Sequence, residues 1–231
     1  KLDVIVARHL LEHINKPYEF LNIVSNCLKD DGILYIEIPN FSEIVESRRF
    51  YDIFNDHFGY YTKETITLAL ENFGLKKIQE LNLFNNQHIG LFFKKGRSQK
   101  EISELKFSPF NCLSDVFNSS ISILKNQILK NYRSLAIYGA GAHGNSILNY
   151  LSNEDKCKIK KCFDKDINKQ GKYLQNSNIK IIYPSYEEIV GIEAIIIASS
   201  LYEIEIENEL RKIGYTGKIV KTSTYNYLCD L

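Results

Sequence analysis

Apolar runs and helically spaced apolar positions alternate along the first part of the chain. Residues 2–7 form an apolar run that predicts a buried strand, and a helix is expected from Pro17, with apolar positions at helical spacing through Leu28. Residues 30–32, Asp-Asp-Gly, predict a turn into a second strand at residues 33–38. The pattern is that of a strand, a helix and a strand.

The next stretch is less regular. Residues 40–61 are dense in aromatic and charged side chains and are expected to be mostly irregular. Thr62 is placed to cap a helix that stops at Gly74. Two further strands, at residues 77–83 and 88–94, flank an Asn-Asn pair and predict a hairpin.

The second half alternates strand and helix patterns more cleanly. A helix is expected at residues 142–151, and two more begin near Ser185 and Tyr202, the latter ending at Gly214. Alternation of this kind predicts a parallel, doubly wound sheet. The expected strands are residues 135–138, 158–163, 179–183, 194–198 and 218–220.

A helical segment is expected to join the two parts. Ser98 and Glu101 have the spacing of a capping box, and residues 113–128 carry one apolar stripe of a long helix. The predicted class is α/β, a partial Rossmann-like sheet followed by a second doubly wound domain. The predicted divisions are residues 1–97, the connecting segment 98–133, and residues 134–231.

Composition narrows the possible functions. The 231 residues are 44% hydrophobic and 25% charged, with a net charge of +1. Neutral charge removes the electrostatic case for a nucleic acid or an anionic membrane, and no apolar run approaches the roughly 20 residues that span a bilayer. The five scattered cysteines suit reduced thiols in the cytoplasm. They are Cys27, Cys112, Cys157, Cys162 and Cys229.

The chain begins at Lys1 and contains no methionine. We therefore expect a fragment of a longer protein or an incomplete list of residues.

A glycine-rich turn follows the first strand of the second half. Gly139, Gly141 and Gly144 form G-x-G-x-x-G between a predicted strand and a helix. The first glycine permits the tight turn, the second lets the backbone approach a diphosphate, and the third allows the helix to pack closely on the strand. Asp164 follows the next strand at the spacing of a ribose-binding acid, and His143 lies where it can touch a phosphate. The alternative is a turn that serves the fold alone.

A second motif, H-x-x-E-H, starts at His9 and includes Glu12 and His13. It is the zinc signature of one group of metalloproteases, which carry it on a long helix. Here it follows a strand and is cut short by Pro17, so no metal site is expected. We interpret it as a loop at the carboxyl end of a parallel strand, where open α/β sheets bind ligands.

Three blocks of sequence, in order, resemble one family. Residues 3–14 and 28–40 resemble the fourth and fifth strands of a class I S-adenosylmethionine-dependent methyltransferase. Residues 52–62 are similar to the loop that follows in sugar C-methyltransferases, and residues 138–145, Tyr-Gly-Ala-Gly-Ala-His-Gly-Asn, to the C-terminal Rossmann-like domain of that family.

The resemblance implies methylation of a carbon in a nucleotide-linked keto-deoxysugar, usually a dTDP-sugar. S-adenosylmethionine is the implied cofactor, and zinc is expected only in an N-terminal region that this sequence does not contain. The glycine-rich loop that holds the cofactor is also missing here, so the polypeptide by itself is expected to bind the cofactor poorly. Phe54 stands where the family usually has Tyr, and Asp56 where it has Glu.

The resemblance also assigns the catalytic residues. His57 aligns with the loop histidine of the family and is the candidate base for the α-proton, because imidazole titrates near neutral pH. Asp56 is expected to steer the imidazole or bind sugar, and Tyr60 or Tyr61 to donate a hydrogen bond to the enolate oxygen.

The expected binding residues lie in both halves. Arg8 and His9 are expected to face the cofactor. One alternative function is a non-catalytic module that binds a nucleotide-linked sugar. Another is an NAD-linked oxidoreductase, but the sequence after the glycine turn lacks a catalytic Tyr-x-x-x-Lys pattern. The residues expected to bind the nucleotide-linked sugar are Gly139, Gly141, His143, Gly144, Asn145 and Asp164.

Overall fold

The computed structural model describes residues 1–96 and 113–222. The capping box expected at Ser98 and Glu101, together with Cys112 and Cys229, lies outside the described residues. The described chain divides into two compact units, residues 1–45 with 55–96 and residues 46–54 with 113–222.

The first unit is built on a four-stranded sheet in the order β1-β2-β4-β3. β1 pairs with β2 in parallel, and β4 runs antiparallel to both of its neighbours. The elements are β1 (Leu2–Arg8), α1 (Pro17–Cys27), β2 (Leu28–Pro39), α2 (Phe41–Glu46), α3 (Lys63–Glu71), β3 (Leu75–Leu83) and β4 (His88–Lys95).

The start of β2 differs from the sequence prediction. Residues 30–32 do not form a turn between elements; they lie inside β2 as an irregularity, with Leu2 opposite Leu28 but Val4 opposite Ile33. Asp31 takes a left-handed φ of 67° there. The Asp-Asp-Gly sequence supplies the conformational freedom that a bulge needs, as it would for a turn.

The other elements of this unit follow the pattern of the sequence. Thr62 caps α3, with its side chain accepting from the backbone of Thr65, and Gly74 has a φ of 75° beyond the helix end. Residues 84–87, which include the Asn85-Asn86 pair, join β3 and β4 as a hairpin, with positive φ at Phe84, Asn85 and Asn86.

The sheet of the first unit buries one face well. α1 and α3 contribute Leu21, Val24 and Ile66 to a core that includes Leu34 and Ile36 of β2. β1 is an edge strand on which alternate apolar side chains are exposed, among them Leu2, Val4 and Val6, the last at 58% exposure.

The second unit is a five-stranded, wholly parallel sheet in the order β7-β6-β5-β8-β9. The strand order reverses between β5 and β8, as in doubly wound sheets, where ligands bind beside that point. The elements are α4 (Leu113–Ile123), which continues as a π-helical turn over Leu124–Leu129, β5 (Leu135–Tyr138), α5 (Ala142–Asn149), α6 (Asn153–Lys158), β6 (Ile159–Phe163), β7 (Ile181–Ile182), α7 (Tyr186–Ile189), β8 (Ala194–Ile197), α8 (Glu203–Lys212) and β9 (Lys218–Lys221).

The predicted α/β class, with parallel strands in both units and a doubly wound second sheet, is confirmed. The sequence did not predict two short helices and one 3-10 turn. Residues 40–61 hold α2 and a 3-10 turn at Phe50–Asp52, because apolar side chains such as Ile44, Phe50 and Tyr51 are buried there. α6, which Ser152 caps, precedes β6 and was not predicted.

No helix within residues 1–96 and 113–222 combines the length and the apolar character that crossing a bilayer requires.

Candidate functional site

The chain turns sharply where β1 ends. His9 adopts a left-handed φ of 47°, and its backbone N–H donates to the carbonyl of Glu37 in β2 at 3.0 Å. A 3-10 turn at Leu11–His13 follows at once. The turn places the H-x-x-E-H residues at the carboxyl ends of the two parallel strands, where an open α/β sheet binds its ligand.

Glu37 organises the side chains around the end of β1. Its carboxylate is buried at 3% exposure, accepts from Arg8 at 2.8 and 3.0 Å and from the Tyr35 hydroxyl at 2.8 Å, and lies 3.0 Å from His9 Nε2. The hydrogen bond from Arg8 keeps the pKa of Glu37 below its usual value, and burial raises the pKa of Tyr35 to about 12. Arg8 and His9, the predicted cofactor contacts, are thus both bonded to Glu37.

The loop that carries His57 is attached to the 3-10 turn through the backbone. The N–H groups of Phe58 and Gly59 both donate to the carbonyl oxygen of Glu12, at 2.7 and 3.2 Å. These two bonds bring residues that are far apart in the sequence to the same end of the sheet.

His57, the predicted base, is half-buried beside two rings. Its ring lies 4.7 Å from that of His13, edge to face, and 5.4 Å from that of Tyr60. Burial, followed by the neighbouring His13, lowers the pKa of His57. The imidazole is therefore neutral at pH 7, the form in which it accepts a proton.

Asp56 contacts a second histidine, His13, which the sequence did not predict. Its carboxylate is 75% exposed and lies 3.5 Å from His13 Nδ1, and its backbone carbonyl lies 3.1 Å from the same nitrogen. Its negative charge still acts on His57, whose pKa it raises in opposition to burial. The predicted trio of Asp56, His57 and Tyr60 is thus brought together, with His13 between Asp56 and His57 as an addition.

Glu12, which the sequence did not predict as a site residue, lies beside the His57 loop. Only 2% of Glu12 is exposed, and its Oε2 has no hydrogen-bond partner among the residues that the structure describes. The hydroxyl of Tyr61 is buried and lacks such a partner in the same described ranges. Burial raises the pKa of both groups, and the charge of Glu12 raises that of Tyr61 further. The H-x-x-E-H spacing was the available signal for Glu12.

The glycines of the second unit act as their spacing predicts sterically. Gly139 has a φ of 114°, and a Cβ there would lie 2.5 Å from the carbonyl oxygen of Ala198; a Cβ on Gly144 would lie 2.2 Å from the oxygen of Gly139. A Cβ on Gly141 would meet no atom of the described chain within 4 Å. The turn therefore needs its first and third glycines for packing and leaves open space over the second.

Asp164 is bonded to the glycine turn itself. Its carboxylate accepts from the backbone N–H of Ala140 at 2.9 Å, from that of Asp166 at 2.9 Å and from Lys169 Nζ at 3.0 Å. Burial alone would raise the pKa of Asp164, but the hydrogen bonds from Asp166, Ala140 and Lys169, together with the charge of Lys169, outweigh it and lower the pKa. The acid expected to bind ribose thus ties the turn to the end of β6.

His143 and Asn145 also contact other parts of the second unit. The His143 ring stacks on Tyr51 at 3.9 Å and its Nε2 lies 3.2 Å from the Thr222 hydroxyl, and burial lowers the pKa of His143 to about 3. The Asn145 amide donates to the Gly141 carbonyl at 3.0 Å and accepts from the N–H of Gln175 at 2.9 Å. These contacts hold both side chains within the fold.

Two stretches of the chain match known family models. Residues 1–80 match the family described as "Methyltransferase domain", and residues 131–220 match a family described as "C2185-like, N-terminal". Among curated proteins, the chain is similar to the C-methyltransferase NovU of Streptomyces niveus, with 25% identity over 78% of this chain and 47% of NovU. The chain thus spans about half the length of that relative.

A solved complex of the Haloferax volcanii Trm112 methyltransferase activator with a methyltransferase is also similar, at 9% identity and a TM-score of 0.37. The match covers 44% of this chain and 57% of the solved one.

Proposed function

We propose that this chain is part of an S-adenosylmethionine-dependent C-methyltransferase that acts on a nucleotide-linked keto-deoxysugar. The support is the methyltransferase-domain match over residues 1–80 together with the similarity to a relative whose name states carbon methylation. The observation that carries the chemistry is the half-buried, neutral imidazole of His57 at the carboxyl end of the parallel strands.

Methylation of a carbon next to a ketone begins with removal of the α-proton. In the proposed reaction His57 accepts that proton, and the electron pair of the broken C–H bond moves into an enolate whose carbon is then methylated. A base must be neutral before it accepts the proton, and burial favours the neutral form of His57 by lowering its pKa.

Two neighbours of His57 have supporting roles in the proposal. The charge of Asp56 opposes the effect of burial and so favours the protonated imidazole that forms when His57 accepts the proton. Tyr60, whose ring lies 5.4 Å from that of His57, donates a hydrogen bond to the enolate oxygen in this scheme, with the hydroxyl of Tyr61 as the second donor available.

The described residues fit the cofactor only in part. Arg8 and His9 stand at the expected strand end, but both are bonded to the buried carboxylate of Glu37. They are not an unfilled polar set that awaits a ligand. The proposal therefore assigns them to the edge of the cofactor site and routes no step of the reaction through them.

We propose separately that the glycine turn of the second unit binds the diphosphate of a nucleotide. The space over Gly141 and the N-terminal end of α5 suit a diphosphate, since backbone N–H groups and the helix dipole favour negative charge there. Gly139, Gly144 and Asp164 shape this turn, and His143 and Asn145 contribute through the contacts that hold it.

The test follows the α-hydrogen directly. A dTDP-linked keto-deoxysugar is incubated with the protein in deuterium oxide without a methyl donor, and loss of the α-hydrogen signal is followed by NMR. We expect enzyme-dependent exchange, reduced by about 10²- to 10⁴-fold in His57→Ala.

His88→Ala serves as the control, because it removes an imidazole of the same unit that is not next to His57. Equal exchange rates in wild type and His57→Ala would refute the base role. Absence of exchange in every variant, with no methylation when S-adenosylmethionine is added to the protein in its natural length, would refute the proposed function.

A further inference from the structure

We propose that Glu12, His13 and His57 form a binding site for a divalent transition-metal ion, most suitably Zn²⁺. One ligand atom from each of the three lies within 4.8 Å of the other two. Two imidazoles and a carboxylate are a donor set that zinc takes in proteins, with a further position left for water or a substrate oxygen. The proposal goes beyond the proposed function and does not rest on it.

The buried carboxylate of Glu12 points to a cation. At 2% exposure its Oε2 has no hydrogen-bond donor within the described ranges, although its backbone carbonyl accepts two bonds from the loop. Burying a carboxylate oxygen without a partner is unfavourable unless the group is protonated or paired with a cation. A metal ion between Glu12 and the two imidazoles satisfies that oxygen.

The surroundings of His13 also suit a metal ligand. Its Nδ1 lies 3.1 Å from the carbonyl oxygen of Asp56, so an Nδ1–H group donates to that oxygen. Ligating histidines in proteins commonly donate their other ring N–H to a carbonyl or carboxylate, which fixes the tautomer and the orientation of the ring. The exposed carboxylate of Asp56, 3.5 Å from the same nitrogen, adds negative charge at the open side.

A second trio, His9, Glu37 and His88, has similar spacing but different electrostatics. The carboxylate of Glu37 already accepts from Arg8 and Tyr35, and the Arg8 guanidinium supplies the positive charge there. A dication at this trio would displace those bonds and face a like charge. We therefore expect a metal ion to bind to Glu12, His13 and His57 but not to His9, Glu37 and His88.

Metal occupancy and the base role of His57 exclude each other. A bound ion takes the imidazole lone pair that would otherwise accept the α-proton. If both proposals hold, Zn²⁺ inhibits α-hydrogen exchange in proportion to the fraction of protein that has bound it. Removing the ion with a chelator restores the exchange. Metal binding is measured on the protein alone, so its failure leaves the proposed function untouched.

The experiment titrates metal-free protein with Zn²⁺ by calorimetry and with Co²⁺ by visible absorbance. We expect one ion per chain and a tetrahedral Co²⁺ spectrum. Glu12→Gln and His57→Gln should each weaken binding by at least about tenfold, since even changes outside the ligand set cost 10- to 100-fold in metal affinity.

His88→Gln is the matched control, because it removes an imidazole from the second trio. It should bind as wild type does, and circular dichroism in the presence of a chelator checks that each variant is folded. Binding lost in His88→Gln but kept in Glu12→Gln and His57→Gln would overturn the assignment. Binding that no substitution alters, as expected for the exposed thiols of Cys27 and Cys157, or no binding at all, would also overturn it.

Discussion

Replacing Gly144 by alanine is expected to destabilise the second unit, whereas the same change at Gly141 is not. A Cβ on Gly144 would lie 2.2 Å from the carbonyl oxygen of Gly139, and a Cβ on Gly141 would meet no described atom within 4 Å. Both glycines belong to the same turn, so the two variants differ in the space available and in little else.

The magnitude follows from opposing contributions. Alanine gains about 1 kcal/mol over glycine inside a helix, which favours the Gly144 variant. Overpacking against a backbone atom costs about 3 kcal/mol, since β5 and α5 must move apart. The free energy of unfolding should therefore fall by about 2 kcal/mol for Gly144→Ala. For Gly141→Ala, at the N-terminal cap of α5, it should change by no more than about 0.5 kcal/mol.

Urea unfolding followed by far-ultraviolet circular dichroism measures both variants. The chain contains no tryptophan, so tyrosine fluorescence is the second probe. With a slope of about 2 kcal/mol per molar urea, the midpoint of Gly144→Ala should fall by about 1 M. Equal midpoints for the two variants would refute the argument that the third glycine is needed for packing.

Three further outcomes are expected. Burial lowers the pKa of His143 to about 3, so the unfolded chain takes up a proton at higher pH than the folded chain. The free energy of unfolding should therefore fall as the pH drops from about 6.5 towards 3. Melting curves of His143→Gln should depend less on pH over that range. Asp164→Ala should lower the free energy of unfolding by about 1–3 kcal/mol in urea titrations, since it leaves the Ala140 N–H without its acceptor, and Asp164→Asn, which keeps an acceptor oxygen, should cost less. Thr62→Ala should cost about 1 kcal/mol by removing the cap of α3, whereas Thr67→Ala inside the same helix is the control for threonine loss; equal costs would refute the capping role.

Two strands of the second unit were predictable because every one of their residues is apolar and buried. Leu135–Tyr138 and Ala194–Ile197 are buried at every position, and fully buried parallel strands read as unbroken apolar runs. Several helix ends lie where the sequence predicts them: Ser185 and Tyr202 are the N-cap residues of α7 and α8, and Gly214, with a φ of 90°, follows the end of α8.

The errors arise where a partner strand or a distant surface decides the conformation. Residues 30–32 have turn chemistry, but pairing with β1 absorbs them into β2 as an irregularity. α2 and the 3-10 turn at Phe50–Asp52 form in a stretch without clear periodicity, where α2 buries Ile44 and the turn adds Phe50 and Tyr51 to the core of the second unit. Neither kind of burial can be seen in the local sequence.

The candidate site shows the same limit more sharply. A family resemblance predicts His57, but the H-x-x-E-H pattern does not predict what Glu12 does. The carbonyl of Glu12 holds the His57 loop by accepting from the N–H groups of Phe58 and Gly59. Backbone bonds of this kind leave no mark on residue identity. The functional roles of Arg8 and His9 stay predictions, because both side chains are bonded to Glu37.

In the glycine turn, the motif predicts the steric roles of the glycines but not the contacts of the polar residues. The steric roles of Gly139 and Gly144 depend on backbone atoms within a few ångströms, so the spacing alone predicted them. The polar residues of the motif depend on whatever packs against them: Tyr51 stacks on His143, and Lys169 and Ala140 bond Asp164. A diphosphate bound over Gly141 would therefore be held chiefly by backbone N–H groups of α5, and its affinity should depend little on those side chains.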